Sequence, residues 1–158
     1  MPVKLNVIKN IHQYLIKNNK TISVAESCSG GVLSSLLTHL SGSSKYFILG
    51  VTAYSNQAKR DILGIPALTI VKNGAVSRNI ACLMSERIRK IAKADFGIGI
   101  TGIAGPTGAT AGKPVGTVFI AVTNKNRTIC RKFAFQGNRT SIRKQSSLQA
   151  LQLLKSFL

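Results

Sequence analysis

Apolar residues recur every three or four positions from Leu5 to Lys17, at Leu5, Ile8, Ile11, Leu15 and Ile16, with amides and charges between them. That spacing predicts an amphipathic helix. Thr21 to Ala25 is a short β-prone run, followed by the loop Glu26-Ser27-Cys28-Ser29-Gly30-Gly31 and an apolar helical stretch from Val32 to Leu40. Ser41-Gly42-Ser43-Ser44 closes this second helix, and Tyr46 to Ala53 reads as a buried strand ending at Tyr54-Ser55-Asn56. Ser55 or Asn56 can cap the next helix, which runs through Leu63. Gly64-Ile65-Pro66 stops it, because proline has no amide hydrogen and restricts the residue before it. Residues 67–74 read as a connector.

Ser77 is placed to cap a long helix to Lys93 with Ile80, Met84, Ile88 and Ile91 on one face. Phe96 to Thr101 reads as a strand, Gly102 to Pro114 as a loop too rich in Gly and Thr for regular structure, and Val115 to Val122 as a strand. Asn124-Lys125-Asn126 predicts a hairpin turn. The returning strand, Thr128 to Phe135, puts Ile129, Arg131, Phe133 and Phe135 on one side and Cys130, Lys132 and Ala134 on the other. After Gln136-Gly137-Asn138, a last helix runs from Arg139 or Thr140 to Phe157. Strands alternating with helices, then a hairpin and a helix, predict a layered α/β domain with a mixed sheet. With 158 residues and 44% hydrophobic positions, the expectation is one domain with a proper core.

Charge narrows the chemistry. Lys and Arg total 22 against four acids, a formal net charge of +18, which favours anionic partners. Glu26, Asp61, Glu86 and Asp95 are the only carboxylate side chains. A carboxylate metal cage is excluded, and a two-carboxylate glycosidase would need half of them. His12 and His39 both read as helical, which disfavours a Ser-His-Asp arrangement. Cys28, Cys82 and Cys130 are far apart, without metal-ligand spacing, so no zinc site is expected. The N-terminal segment lacks the apolar core of a signal peptide, and no run approaches the roughly 18 apolar residues of a membrane span. A cytoplasmic protein with reduced thiols is expected. Base-reading nucleic-acid modules interleave aromatics with basic residues, whereas aromatics here are 6%. At most nonspecific nucleic-acid attraction is expected.

The Glu26–Gly31 loop joins a strand to a helix, where backbone amides lack intrahelical partners and an anion or oxyanion would bind. A serine on such a turn is exposed as a nucleophile must be, although Ser27 or Ser29 could equally be a helix cap. Without an obvious histidine base, a serine nucleophile needs another proton acceptor, and a lysine serves only if burial or neighbouring positive charge depresses its pKa. Lys59 is a candidate, with Tyr54 to orient it or relay a proton, and a solvated helix lysine is the default for any one of the chain's many lysines. Cys28 is a competing nucleophile. Thr101-Gly102-Ile103-Ala104-Gly105-Pro106 begins where a strand ends, the usual place for ligand loops in open α/β sheets. Arg139 and Arg143, four apart, could clamp a phosphate or carboxylate, or be plain surface charges.

Five blocks occur in order: Ala25-Glu26-Ser27-Cys28-Ser29-Gly30-Gly31, Tyr54-Ser55-Asn56 with Lys59, Gly74-Ala75-Val76-Ser77, Thr101-Gly102-Ile103-Ala104-Gly105-Pro106, and Lys113-Pro114-Val115-Gly116-Thr117-Val118. From about residue 5 onward the chain resembles the C-terminal domain of the CinA family of competence/damage-inducible proteins, which also occurs as a stand-alone nicotinamide-nucleotide amidase. The resemblance implies a three-layer α/β/α sandwich with a mixed β-sheet. It implies hydrolysis of the carboxamide of nicotinamide mononucleotide to nicotinate mononucleotide and ammonia, without a cofactor or metal, in pyridine nucleotide recycling. Ser27 would be the nucleophile, Lys59 its base and Tyr54 a supporting hydroxyl. The amides around Ser29, Gly30 and Gly31 would stabilise the oxyanion, while Thr101, Gly102 and Gly105 with Arg143 would hold the ribose phosphate. A homo-oligomer is also implied.

Ser29 stands where the family usually has Thr and keeps the hydroxyl. Asn138 stands where an Asp often precedes the arginine, removing a charge that could position Arg139. Longer members carry an N-terminal domain similar to molybdopterin-binding proteins, none of which is expected here. The other expectation is a nucleotide-binding or regulatory module with little turnover.

Overall fold

The computed structural model describes residues 2–158, with side chains from Asn6 onward. The chain forms α1 (Pro2–Lys17), β1 (Ile22–Glu26), α2 (Val32–Leu37), β2 (Phe47–Thr52), α3 (Asn56–Asp61), α4 (Ala67–Asn73), α5 (Arg78–Ala92), β3 (Phe96–Gly102), β4 (Thr117–Thr123), β5 (Thr128–Ala134) and α6 (Arg139–Lys155). The five strands make one mixed sheet in the order β2-β1-β3-β4-β5, parallel across β2, β1 and β3 and antiparallel across β4 and β5.

Alternation along the strands sorts the two faces. Ile22 and Val24 of β1, Phe96, Ile98 and Ile100 of β3, and Val118, Ile120 and Val122 of β4 point into the core shared with α1, α2 and α6. The opposite face carries small residues, Ala25, Gly97, Gly99 and Ala121, and α5 lies directly on it. A Cβ on Gly97 would collide with the Ser85 carbonyl oxygen, and one on Gly99 with that of Ala81. The large-small alternation Phe96-Gly97-Ile98-Gly99-Ile100 thus specifies both an oily face and a close helix-to-sheet approach. Ser85 Oγ, 2.6 Å from Thr123 Oγ1, and Ser77, whose hydroxyl accepts the Ile80 amide hydrogen, fix α5 along and at the start of that face.

Several expectations need correction. Residues 67–74 are not a connector: Ala67–Asn73 is helical, burying only Ile70 and leaving Leu68 and Val71 exposed, so it shows no helical stripe. β2 is half-exposed rather than buried, because it is an edge strand whose residues alternate in exposure. α2 ends at Leu37, leaving His39 in the following turn instead of the helix. α3 ends at Asp61, α6 at Lys155, and β4 begins at Thr117. Ile91 is half-exposed, while Ile80, Met84 and Ile88 are buried as expected. α1 begins at Pro2, and the side chain of Leu5 lies outside the described residues.

Candidate active site

β1 and β2 are paired in parallel up to Glu26 and Thr52, so the residues that follow, Ser27 and Ala53, leave the sheet side by side. The Ser27 amide bonds the Ile100 carbonyl at 2.9 Å, tying the serine to β3 as well. Lys59, in the first helix after β2, is 1% exposed. Its Nζ lies 3.0 Å from Ser27 Oγ, 3.0 Å from the Ala53 carbonyl oxygen and 3.2 Å from the Tyr54 carbonyl oxygen. Burial holds its pKa below the ordinary lysine value of 10.5. A neutral amine has two N–H donors and one lone pair. As it stands Nζ donates to Ser27 Oγ and the Ser27 hydroxyl to the Tyr54 carbonyl at 3.5 Å; once the amine loses a proton, two carbonyls take its remaining donors and the lone pair is free for the Ser27 hydroxyl.

Glu26, which opens the loop and is one of four acids in the sequence, is fully buried. One of its oxygens accepts from the Gly31 and Leu33 amides at 3.1 and 3.0 Å, and the other from the Ser34 amide and hydroxyl at 2.8 and 2.7 Å. This carboxylate occupies the start of α2, where the sequence suggested an anion or oxyanion would bind. The Gly30 amide is likewise bonded to the Ser27 carbonyl. Gly30 and Gly31 therefore offer no amide to a substrate, correcting that expectation. Among the described residues, the Cys28 and Ser29 amides make no hydrogen bond to another main-chain group. A chain with so few acids that ends a buried strand in Glu, just before a Gly-rich turn, carries the signal that identifies this cap.

Cys28 adjoins the serine, but burial pushes its thiol up to about 12, outweighing its own backbone amide and the nearby Lys59 and Arg139 cations and keeping it protonated at neutral pH. Ser27 has the base and Cys28 does not.

A cleft of about 320 Å³ opens over the pair, within the lower part of the roughly 300–1,000 Å³ usual for small-molecule sites. Ser27, Lys59, Tyr54, Thr101, Gly102, Gly105 and Arg139 are all on its wall. The Thr101 hydroxyl donates to the Ala75 carbonyl at 2.8 Å, holding the 74–77 turn against β3. Tyr54 differs from expectation: its carbonyl faces Lys59, while its phenol is exposed and paired with Arg139 Nη2 at 2.6 Å. Arg139 also donates to the Gly105 carbonyl at 2.8 Å. Arg143 stands behind the loop, donating to the Ser29 and Gly30 carbonyls at 3.1 and 3.3 Å, with Nη2 3.0 Å from where a Gly30 Cβ would sit. Of the two arginines, Arg139 faces the cleft and Arg143 braces the nucleophile loop, correcting the placement of Arg143 on the substrate. His12 and His39 do not line the cleft.

Residues 4–158 match the family model of the CinA C-terminal domain. The chain belongs to this family. A CinA-like protein of Koribacter versatilis is 50% identical over 142 residues, covering 90% of this chain and 34% of that protein. One from Thermotoga neapolitana is 47% identical over 144 residues, 91% of this chain and 35% of that protein. The chain thus spans about a third of the length of the curated CinA relatives it matches. Among solved structures, the competence/damage-inducible protein of Agrobacterium tumefaciens superposes with a TM-score of 0.93 at 35% identity, covering 96% of this chain and 93% of that one. A CinA superfamily protein of Escherichia coli gives 0.92 at 31% identity, with 97% and 89% covered. The α/β fold with its mixed sheet is therefore that of CinA proteins. No described helix is long and apolar enough to cross a membrane.

Proposed function

We propose that this CinA domain is a metal-independent amidohydrolase that converts nicotinamide mononucleotide and water to nicotinate mononucleotide and ammonia. The observation that carries the reading is the buried Lys59 amine 3.0 Å from Ser27 Oγ, with two main-chain carbonyls to hold its protons. Neutral Lys59 takes the Ser27 proton as Oγ attacks the carboxamide carbon, and the oxyanion forms within reach of the Cys28 amide, the residue after the nucleophile, and the Ser29 amide. Each such donor contributes about 3 kcal/mol to the transition state. The lysine returns the proton to the departing ammonia, leaving an ester on Ser27. Water, deprotonated by the same lysine, then releases the carboxylate.

Arg139, with the 101–108 loop, supports an anionic substrate. Among the described residues the Ala104, Gly105, Thr107 and Gly108 amides have no partner within the chain, which suits the ribose phosphate. The test is ammonia release from nicotinamide mononucleotide in chelator-containing buffer, comparing wild type with Ser27→Ala and Lys59→Met. Loss of at least about a thousandfold in both folded variants is expected. A Ser27→Ala protein with wild-type turnover removes the nucleophile. A folded wild type that binds the nucleotide without releasing ammonia makes the domain a nucleotide-binding module instead.

A further inference from the structure

Cys82 and Cys130 lie outside the cleft, and both are free thiols. Arg78, Cys82 and Glu86 are spaced four apart and share one face of α5. That face runs along the edge strand β5. At one end the Arg78 guanidinium donates to the Cys130 carbonyl; at the other, Glu86 accepts from the Thr128 hydroxyl at 3.2 Å. Cys82 is midway between these two contacts, in the same apolar cluster as Cys130, with Ala81, Phe119 and Ala121 around them. The Cys130 Sγ is itself 3.9 Å from the Arg78 carbonyl oxygen, one turn of helix from Cys82.

We propose that Cys82 and Cys130 are a reversible dithiol–disulfide pair, with Cys82 as the site of attack on a hydroperoxide and Cys130 as the resolving thiol. The two have different characters. Cys82 is partly exposed and reachable, and the neighbouring Cys130 thiol, with the Arg78 cation, lowers its pKa against the effects of burial and Glu86. Cys130 is 9% exposed, its thiol donates to the Arg78 carbonyl, and the neighbouring Cys82 together with burial pushes its pKa up. A reachable, more acidic thiol beside a sheltered, less acidic one is the arrangement a peroxide-reactive pair requires.

In the first step the Cys82 thiolate attacks one peroxide oxygen, the O–O bond breaks, and the other oxygen leaves as water after taking a proton. Cys82 becomes a sulfenic acid. In the second, Cys130 sulfur attacks Cys82 sulfur, the S–O bond breaks, and the hydroxyl leaves as water with the Cys130 proton. The two thiols lose two electrons and two protons, and one peroxide becomes two waters. The disulfide would staple edge strand β5 to α5, and a dithiol reductant reverses it.

The experiment treats the native wild-type chain with one equivalent of hydrogen peroxide, then denatures it and alkylates the remaining thiols for mass spectrometry. Alkylated cysteines are expected to fall from the three of the reduced chain to one, leaving Cys28. Tryptic peptide Asn79–Arg87 is expected to be joined to Thr128–Arg131, and dithiothreitol restores all three thiols. In Cys130→Ser, Cys82 is expected to stop at the sulfenic acid and be trapped by dimedone. Three alkylated cysteines after peroxide, or a link between chains or to Cys28, overturns the proposal.

Discussion

Replacing Glu26 by glutamine keeps the size of the side chain but removes its charge and turns one of its two acceptor oxygens into a donor. In the better orientation the amide oxygen keeps the Gly31 and Leu33 amides, and the new NH2 faces Ser34. The Ser34 hydroxyl can reverse and accept from it, since a hydroxyl has both a proton and lone pairs. The Ser34 amide cannot reverse. One buried donor left facing another costs about 1–3 kcal/mol, and two hydrogen bonds that lose a charged acceptor cost about 1 kcal/mol each. The total is about 3–5 kcal/mol, a large share of the 5–15 kcal/mol of a typical domain. Urea unfolding followed by circular dichroism at 25 °C measures it directly, and the melting temperature is expected to fall by roughly 10 °C. A Glu26→Gln protein within about 1 kcal/mol of wild type would show that the carboxylate does not hold the start of α2.

Lys59 releases its proton more readily folded than unfolded. Between its folded value and 10.5 the unfolded chain therefore holds more protons, and stability rises with pH across that window. Cys28 has the opposite slope above 9, common to wild type and variant, so urea midpoints at about pH 8 and 10 are expected to rise more in wild type than in Lys59→Met. Gly99→Ala forces a methyl against the Ala81 carbonyl and is expected to destabilise by about 3 kcal/mol, readable in the same unfolding assay. Arg143→Ala is expected to lower kcat with little change in KM, because it braces the nucleophile loop. Arg139→Ala is expected to raise KM, being on the cleft wall; steady-state kinetics with nicotinamide mononucleotide separates the two.

Periodicity located most of the elements, because α1, α5 and the strands bury one face against the rest of the fold. α4 escaped notice because it buries only Ile70 and carries β-branched Thr69 and Val71, so neither stripe nor propensity marks it as a helix. The site divides in the same way. Ser27 and the 101–106 loop are marked by their position at strand ends, a local feature. Lys59 stands out from the other lysines only by burial, which the packing of β1, β2 and α3 creates, and its pairing with Ser27 depended on the family resemblance. Which arginine reaches the cleft is likewise not in the spacing: residues one helical turn apart point to the same side, yet Arg139 extends past the N-terminus of α6 toward Gly105 while Arg143 lies against the loop carbonyls.

The side-by-side exit of Ser27 and Ala53 from paired strands also bears on how the molecule fails. The separation between hydroxyl and amine is set by a rung of the sheet about 4.8 Å wide, and the amine is gripped by main-chain oxygens rather than by other side chains. Yet Lys59 itself rides on α3, a short and largely exposed helix beyond the end of edge strand β2, so the amine half of the pair sits at the margin of the fold and the serine half at its centre. Fraying of that margin is expected to disarm the pair before the core melts, and activity is expected to be lost on heating ahead of the circular dichroism signal.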